Sequence, residues 1–225
     1  MNFMCQALLA GQSELAARRL CTEVIRRRKL PASRRRFLAA NPVYQIMVGY
    51  SITRADRLNE RTAELLAQLG CMRVWIGSES GSQRILDAME RGVRVEQVRS
   101  AVALCKRMGI QTGMFLMWGY DGEEISDIEA TVDHVKQCRP DVFFTTVSYP
   151  IKGTPYFNKV ADRLVALGGW HEQTDRDFKI RGRHSRNFYR HADELLRSET
   201  AENADISRIA AARAALHDAA SEVEV

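Results

Sequence analysis

Apolar positions along this chain follow two alternating rhythms. Short, nearly unbroken apolar runs at 43–50, 72–77, 113–119 and 142–149 predict buried strands, because a parallel strand covered on both faces loses the alternation of polar and apolar positions. Stretches of helical spacing lie between them. Residues 58–69 read as a helix ending at Gly70, the residue type favoured just past a helix end. Ile85, Leu86 and Met89 mark a short helix stopped near Gly92, and Val95, Val98, Val102, Cys105 and Met108 stripe a longer one stopped at Gly109. Ser126 and Glu129 match an S-x-x-E capping box. They open a helix that carries Ile128, Val132 and Val135 and closes at Arg139-Pro140. Four strand–helix alternations predict an α/β fold built on a parallel sheet.

The flanks are less regular. Leu15, Leu20, Val24 and Ile25 predict an N-terminal helix closed by Pro31. After Gly153, residues 155–167 read as a helix and 170–180 admit an extended segment. From Ser185 onward the pattern is helical, and the Ala-rich stretch after Ala201 has high helix propensity but few large apolar anchors. The expected organisation is a core over 1–165 and a C-terminal helical extension over 166–225.

Composition narrows the class. Charged residues make up 27% of the 225, mean hydropathy is −0.30, and no apolar run approaches the ~18 residues of a membrane span. The first residues carry no basic lead or cleavage site, so the expected location is cytoplasmic. The five cysteines, at 5, 21, 71, 105 and 138, are far apart and form no C-x-x-C pair. They read as reduced, mostly buried thiols, and no metal site is expected from this sequence alone. The net charge of +5 is concentrated in arginines and one lysine between Arg18 and Arg36. That run suits either a phosphate backbone or a solvated helix face with a basic end. No aromatic residue is interleaved in it, which weighs against nucleic acid.

Three glycine-rich, polar turns fall at predicted strand ends, the edge where parallel α/β folds place ligands. The first is Gly77-Ser78-Glu79-Ser80-Gly81. Either its glycines bring backbone close to a ligand beside the Glu79 carboxylate, or it is a plain strand-to-helix turn with Ser80 or Ser82 as the helix cap. Arg91, after the short helix, is either a surface residue or a fork for a carboxylate at the same strand ends. Gly119-Tyr120-Asp121-Gly122-Glu123 and the 149–155 turn around Gly153 complete the set.

Taken in order, Gly70-Cys71, G-S-E-S-G-S, Arg91-Gly92, G-Y-D-G-E-E and G-T-P-Y-F resemble the C-terminal part of a radical S-adenosylmethionine (SAM) domain. The resemblance spans about residues 13 to 165 and points to the cobalamin-associated, magnesium-protoporphyrin cyclase-like branch. It implies a partial (βα) barrel in which this chain supplies strands three to six. It also implies Glu79 and its neighbour Ser80 as SAM contacts, Arg91 as the partner of the methionyl carboxylate, and loops at Gly119 and Gly153 lining the adenine and substrate side. The family's C-x-x-x-C-x-x-C loop, whose thiolates hold a 4Fe-4S cluster, is absent from these residues. Where the family has proline in a G-x-P-G-E turn, Asp121 stands here.

Two functions follow as expectations. One is the C-terminal fragment of a radical SAM enzyme, inactive alone, acting on a small-molecule substrate together with an upstream half that brings the cluster and any cobalamin. The other is a non-catalytic module that binds nucleotide or RNA through the basic N-terminal helix.

Overall fold

The computed structural model describes residues 50–166 and 178–223. The basic run at 18–36, the N-terminal helix, Cys5, Cys21 and most of the strand expected at 43–50 lie outside these residues.

Four strands form one parallel sheet in sequence order: β1 (Tyr50–Thr53), β2 (Arg73–Glu79), β3 (Gln111–Trp118) and β4 (Val142–Val147). Registers run Tyr50 to Arg73, Arg73 to Gln111 and Gly113 to Val142. Helices α1 (Glu60–Leu69), α2 (Gln83–Ala88), α3 (Val95–Arg107) and α4 (Ile125–Cys138) occupy the connections. The expected α/β partial-barrel order of parallel strands and crossover helices is the observed one, but β1 shares only Tyr50 with the run expected at 43–50, and residues 51–53 fall outside every predicted strand. Asn59 caps α1 by accepting the Thr62 N–H, and Gly70 ends it in the left-handed region at φ 86°.

The start of α4 departs from the sequence reading. Its N-cap is Glu124, and the N3 residue Asp127 accepts the Glu124 N–H at 2.9 Å. Asp127 also accepts the Ser82 hydroxyl at 2.6 Å and a guanidinium N–H of Arg84. Contacts with the preceding crossover thus set the helix start two residues before Ser126, and Glu129 pairs instead with Arg213.

The helix expected over 155–167 is also shorter. Helix α5 (Pro155–Val160) gives way to a 3-10 turn and then to β5 (Leu164–Ala166), which pairs antiparallel with β6 (Phe178–Ile180). Finding a partner strand overrides local helix propensity there. Two helices follow, α6 (Arg186–Thr200) and α7 (Ile206–Asp218).

The two faces of the sheet differ. Val74 and Ile76 of β2 and Met114, Leu116 and Trp118 of β3 are buried on the helix-covered face. Phe188, Tyr189, Leu195 and Leu196 of α6 join the same core, so the expected extension packs onto the core that the strands build. The Glu199 carboxylate accepts from Lys136 at 2.7 Å and Arg213 at 2.8 Å, tying α4, α6 and α7 together. On the opposite face Trp75 stacks on Phe115 (4.8 Å) and Phe144 (5.1 Å) across three strands. Gly113 makes this stack possible, because a Cβ there would lie 2.3 Å from the Trp75 ring. Phe144 (52%) and Ile52 (43%) leave this concave face partly open among the described residues.

Candidate active site

The C-terminal ends of β1 and β2 frame a cavity of about 430 Å³ lined by Ile52, Thr53, Arg54, Arg57, Gly77, Glu79, Arg91 and Phe115. Its central feature is an ion pair, with Arg91 Nη2 donating to Glu79 Oε1 at 2.9 Å. Neither residue faces this cavity by chance.

Glu79 is the last residue of β2, and pairing with β3 slips there: Gly77 sits opposite Phe115, but Glu79 sits opposite Leu116. The extra residue is Ser78, and Glu79 takes the left-handed region at φ 58°, an unusual place for a non-glycine residue and a common one at functional sites. The bulge brings the Glu79 carboxylate over Gly77. A Cβ on Gly77 would lie 2.9 Å from Glu79 Oε1 and 3.2 Å from Arg91 Nη2, so glycine leaves room for both groups above the concave face.

Arg91 is placed by the end of α2. The Glu90 N–H donates to Asp87 O and the Arg91 N–H to Leu86 O, with Glu90 left-handed at φ 54°. This is a Schellman motif. It stops the helix and turns the chain back, so the residue just past it reaches the end of β2.

Burial raises the Glu79 carboxyl above its ordinary range, and the Arg91 guanidinium pulls it down. Both side chains keep partial solvent access, at 20% for Glu79 and 35% for Arg91. A fork of N–H donors and a carboxylate side by side over an apolar aromatic floor suit a zwitterion or a vicinal diol.

The other expected residues fall elsewhere. Ser80 is fully buried on the helix side, where its hydroxyl pairs with Thr131 at 3.2 Å and accepts the Ser82 N–H. Gly81 belongs to the same packing. A Cβ on it would lie 2.5 Å from Ala130 O and 2.6 Å from Thr131 Cα, and its N–H donates to Thr131 Oγ1. This glycine admits helix α4; only Gly77 opens on the cavity. Ser82 does hold the N-cap position of α2, but its hydroxyl goes to Asp127 and not to the helix.

Gly119 is left-handed at φ 73°, and a Cβ there would press on the Tyr189 ring at 2.9 Å. Its N–H donates to Glu123 Oε2 at 2.6 Å. Gly153, at φ 82°, borders open space and precedes Thr154, whose hydroxyl caps α5 by accepting the Phe157 N–H.

Sequence reasoning missed Glu123 as a buried group. It is 4% exposed, its second oxygen has no hydrogen-bond partner, and burial pushes its carboxyl up to about 8 against the opposing Gly119 bond. The signal available was its spacing of four from a turn glycine. It also missed His134, buried beneath the first turn. Arg99 Nε faces its Nδ1 at 3.3 Å and the Ser78 hydroxyl its Nε2 at 3.0 Å. Burial takes this imidazole down to about 4.

The three described cysteines, Cys71, Cys105 and Cys138, are buried and none is in a disulfide among the described residues. Burial pushes the Cys105 and Cys138 thiols up to about 11, so they are protonated and poor metal ligands. Among the described residues no group of three or more histidine, cysteine or acidic side chains is arranged to hold a metal ion. An iron–sulfur cluster does not fit them.

Residues 23–135 match the Radical SAM superfamily. The chain belongs to this family. An uncharacterized methyltransferase of Pyrococcus horikoshii is 29% identical over 134 residues, 59% of this chain and 29% of that protein. The anaerobic magnesium-protoporphyrin IX monomethyl ester cyclase of Rubrivivax gelatinosus, from the branch that the motif order points to, is 24% identical over 106 residues, 47% of this chain and 19% of the relative. The matched region of this radical SAM chain thus spans less than a third of either relative. In fold it is similar to the archaeal Elp3 of Methanocaldococcus infernus with an N-terminal deletion, at TM-score 0.51 and 21% identity, covering 74% of this chain and 39% of that one. Among the described residues no helix is long and apolar enough to cross a membrane.

Proposed function

We propose that residues 50–166 form the SAM-holding part of a radical SAM barrel and that these 225 residues do not cleave SAM by themselves. The observation that carries this reading is the Arg91–Glu79 pair, set over Gly77 at the mouth of an open cavity. SAM carries an α-carboxylate, an ammonium group and a ribose diol. In this reading the Arg91 guanidinium takes the carboxylate, while Glu79 accepts from the ammonium group or the ribose hydroxyls. The aromatic floor at Phe115 would exclude water beneath them, and in the complete barrel the loops at Gly119 and Gly153, which lie outside this cavity, would line the adenine and substrate side. Ser80 then serves by fixing the turn on Thr131.

Reductive cleavage of SAM needs the electron that a 4Fe-4S cluster supplies when bound. In this reading the cluster ligands, and a cobalamin where the reaction uses one, come from polypeptide outside these 225 residues, in the cytoplasm. The substrate is a small molecule. No observation among the described residues favours the RNA-binding alternative, because the basic run lies outside them.

Calorimetric titration with SAM tests the site. Glu79→Ala and Arg91→Ala are each expected to weaken binding about tenfold or more, the usual cost of a lost charged hydrogen bond. Equal affinity in wild type and both variants overturns the assignment.

A further inference from the structure

Glu79 reaches the cavity while its two chain neighbours turn the other way. Ser78 and Ser80 flank it, and both are buried on the helix side of the sheet. Three serines at alternate positions in fact face one stripe of α4. Ser78 pairs with His134 Nε2 at 3.0 Å, Ser80 with Thr131 at 3.2 Å, and Ser82 with Asp127 at 2.6 Å. Asp127, Thr131 and His134 stand at i, i+4 and i+7, on one face of the helix.

The directions of these bonds follow from their partners. Thr131 Oγ1 donates to Asp127 O at 2.8 Å, so it accepts from the Ser80 hydroxyl and from the Gly81 N–H. Arg99 of α3 donates its Nε–H to His134 Nδ1 at 3.3 Å. A guanidinium does not accept, so Nδ1 is the acceptor and the ring proton sits on Nε2, aimed at Ser78 Oγ. Burial, and after it the Arg99 charge, take this imidazole down to about 4, so at neutral pH it is uncharged and keeps that tautomer.

The ladder bears directly on Glu79. Ser78 is the extra residue of the β2 bulge, and the Ser80 N–H donates to Ser78 O at 2.7 Å, closing a tight turn around Glu79. A non-glycine residue in the left-handed region is strained and persists where its surroundings fix it. Here the fixed points are the hydroxyls on either side. Ser80 shares Thr131 with Gly81, whereas the Ser78 hydroxyl has one partner among the described residues, His134. A buried serine–histidine pair carries a desolvation cost that an apolar pair of the same size avoids. That cost fits a role in aiming the turn better than a role in stabilising the core.

We propose that His134 is a positioning residue of the SAM site: through Ser78 it holds the bulge that aims the Glu79 carboxylate into the cavity, and Arg99 fixes its tautomer. This rests on the reading of Glu79 as a SAM contact.

Calorimetric SAM titration of the full chain separates aim from support. His134→Phe keeps a ring and removes the donor, and Ser78→Ala removes the acceptor. Each is expected to weaken SAM binding about tenfold and to add no further loss in the Glu79→Ala background. His134→Gln, which returns an N–H near the Nε2 position, is expected to restore affinity. Unchanged affinity in both variants overturns the proposal, as does an equal loss in the Glu79→Ala background, or a His134→Gln chain as weak as His134→Phe. Failure of Ser78→Ala to fold also overturns it, because the bond then holds the core. A carbon-13 NMR titration of the Glu79 carboxyl, assigned by its absence in Glu79→Gln, reads the same geometry without ligand. Burial holds that carboxyl above its ordinary range in the wild type, and its midpoint is expected to fall back toward that range in His134→Phe and Ser78→Ala. An unshifted midpoint overturns the positioning role. A shifted midpoint in a chain that binds no SAM sinks the SAM assignment and leaves the positioning of Glu79 standing.

Discussion

The turns after β2 and β3 are built from the same materials and do opposite things. Each has glycines, a carboxylate and a left-handed residue at the C-terminal end of a parallel strand. After β2 the carboxylate of Glu79 comes out over the concave face and meets Arg91 with partial solvent access. After β3 the carboxylate of Glu123 turns inward, binds the Gly119 N–H and is buried. The difference lies in where the extra residue falls. A bulge inside β2 re-aims a residue of the strand itself, whereas Glu123 sits five residues past the end of a regular strand and bonds back to Gly119. A glycine–acid turn at a strand end is therefore not a ligand site by composition. What decides it is which neighbour occupies the space of the missing Cβ: backbone of α4 at Gly81, the Tyr189 ring at Gly119, and the ionic pair itself at Gly77.

The largest expected effect breaks the first turn from its helix side. In Gly81→Ala the added methyl meets backbone of α4 at 2.5–2.6 Å, contacts that a side-chain rotation cannot relieve. Overpacking of this kind is expected to cost about 3 kcal/mol, read as a lower urea midpoint. A Gly81→Ala chain of normal stability with weakened SAM binding would instead make Gly81 part of the ligand cradle.

Next in size is the pH response of the second turn. The Glu123 carboxyl titrates at about 8 in the folded chain against an ordinary value of 4.5. The native state therefore holds a proton that the unfolded state has lost. Stability is fully present below 4.5 and is lost as pH rises through 8. His134, taken from 6.5 down to about 4, works in the other sense: its contribution is present above 6.5 and is lost as pH falls toward 4. Between pH 6.5 and 8 only the Glu123 effect remains of the two. The wild type is expected to lose on the order of 1 kcal/mol per pH unit there, and Glu123→Gln to flatten that slope. Denaturant titrations at pH 6.5 and 8 measure both, and parallel slopes in the two proteins would refute the buried proton.

The smallest effect sharpens the contrast. Glu79→Ala and Arg91→Ala are each expected to change folding stability by less than about 1 kcal/mol, because a partly exposed ion pair contributes little. A loss of several kcal/mol in the same denaturation experiment would mean that the pair holds the fold.

Much of this architecture could be read from the chain because it rests on local signals. Apolar runs set β2, β3 and β4, and Gly70 and Gly109 punctuate the helices around them. Glu79 and Arg91 could be named from motif order, and they meet in the structure. What could not be read depended on contacts between distant segments. Asp127 starts α4 because Ser82 and Arg84 hold it from 45 and 43 residues away. Leu164 becomes a strand because Ile180 lies across from it. The fate of Ser80 was set by Thr131, and that of Glu123 by the turn folding back on Gly119. None of these partners leaves a trace in the spacing of the segment it controls.

The stack of Trp75 on Phe115 and Phe144 gives the sheet an optical signature. Aromatic transitions held 4.8 and 5.1 Å apart in a fixed, nearly parallel arrangement couple to one another, and that coupling appears in near-ultraviolet circular dichroism as a signal that isolated rings lack. Side chains alternate faces along a strand. A slip of one residue in β3 or β4 would therefore carry a phenylalanine to the helix-covered side and extinguish its part of the signal. The same three rings floor the concave face, so a planar molecule settling there perturbs the band without any label. The strand register and the state of the cavity can thus be followed together, in solution, by the light that the protein itself absorbs.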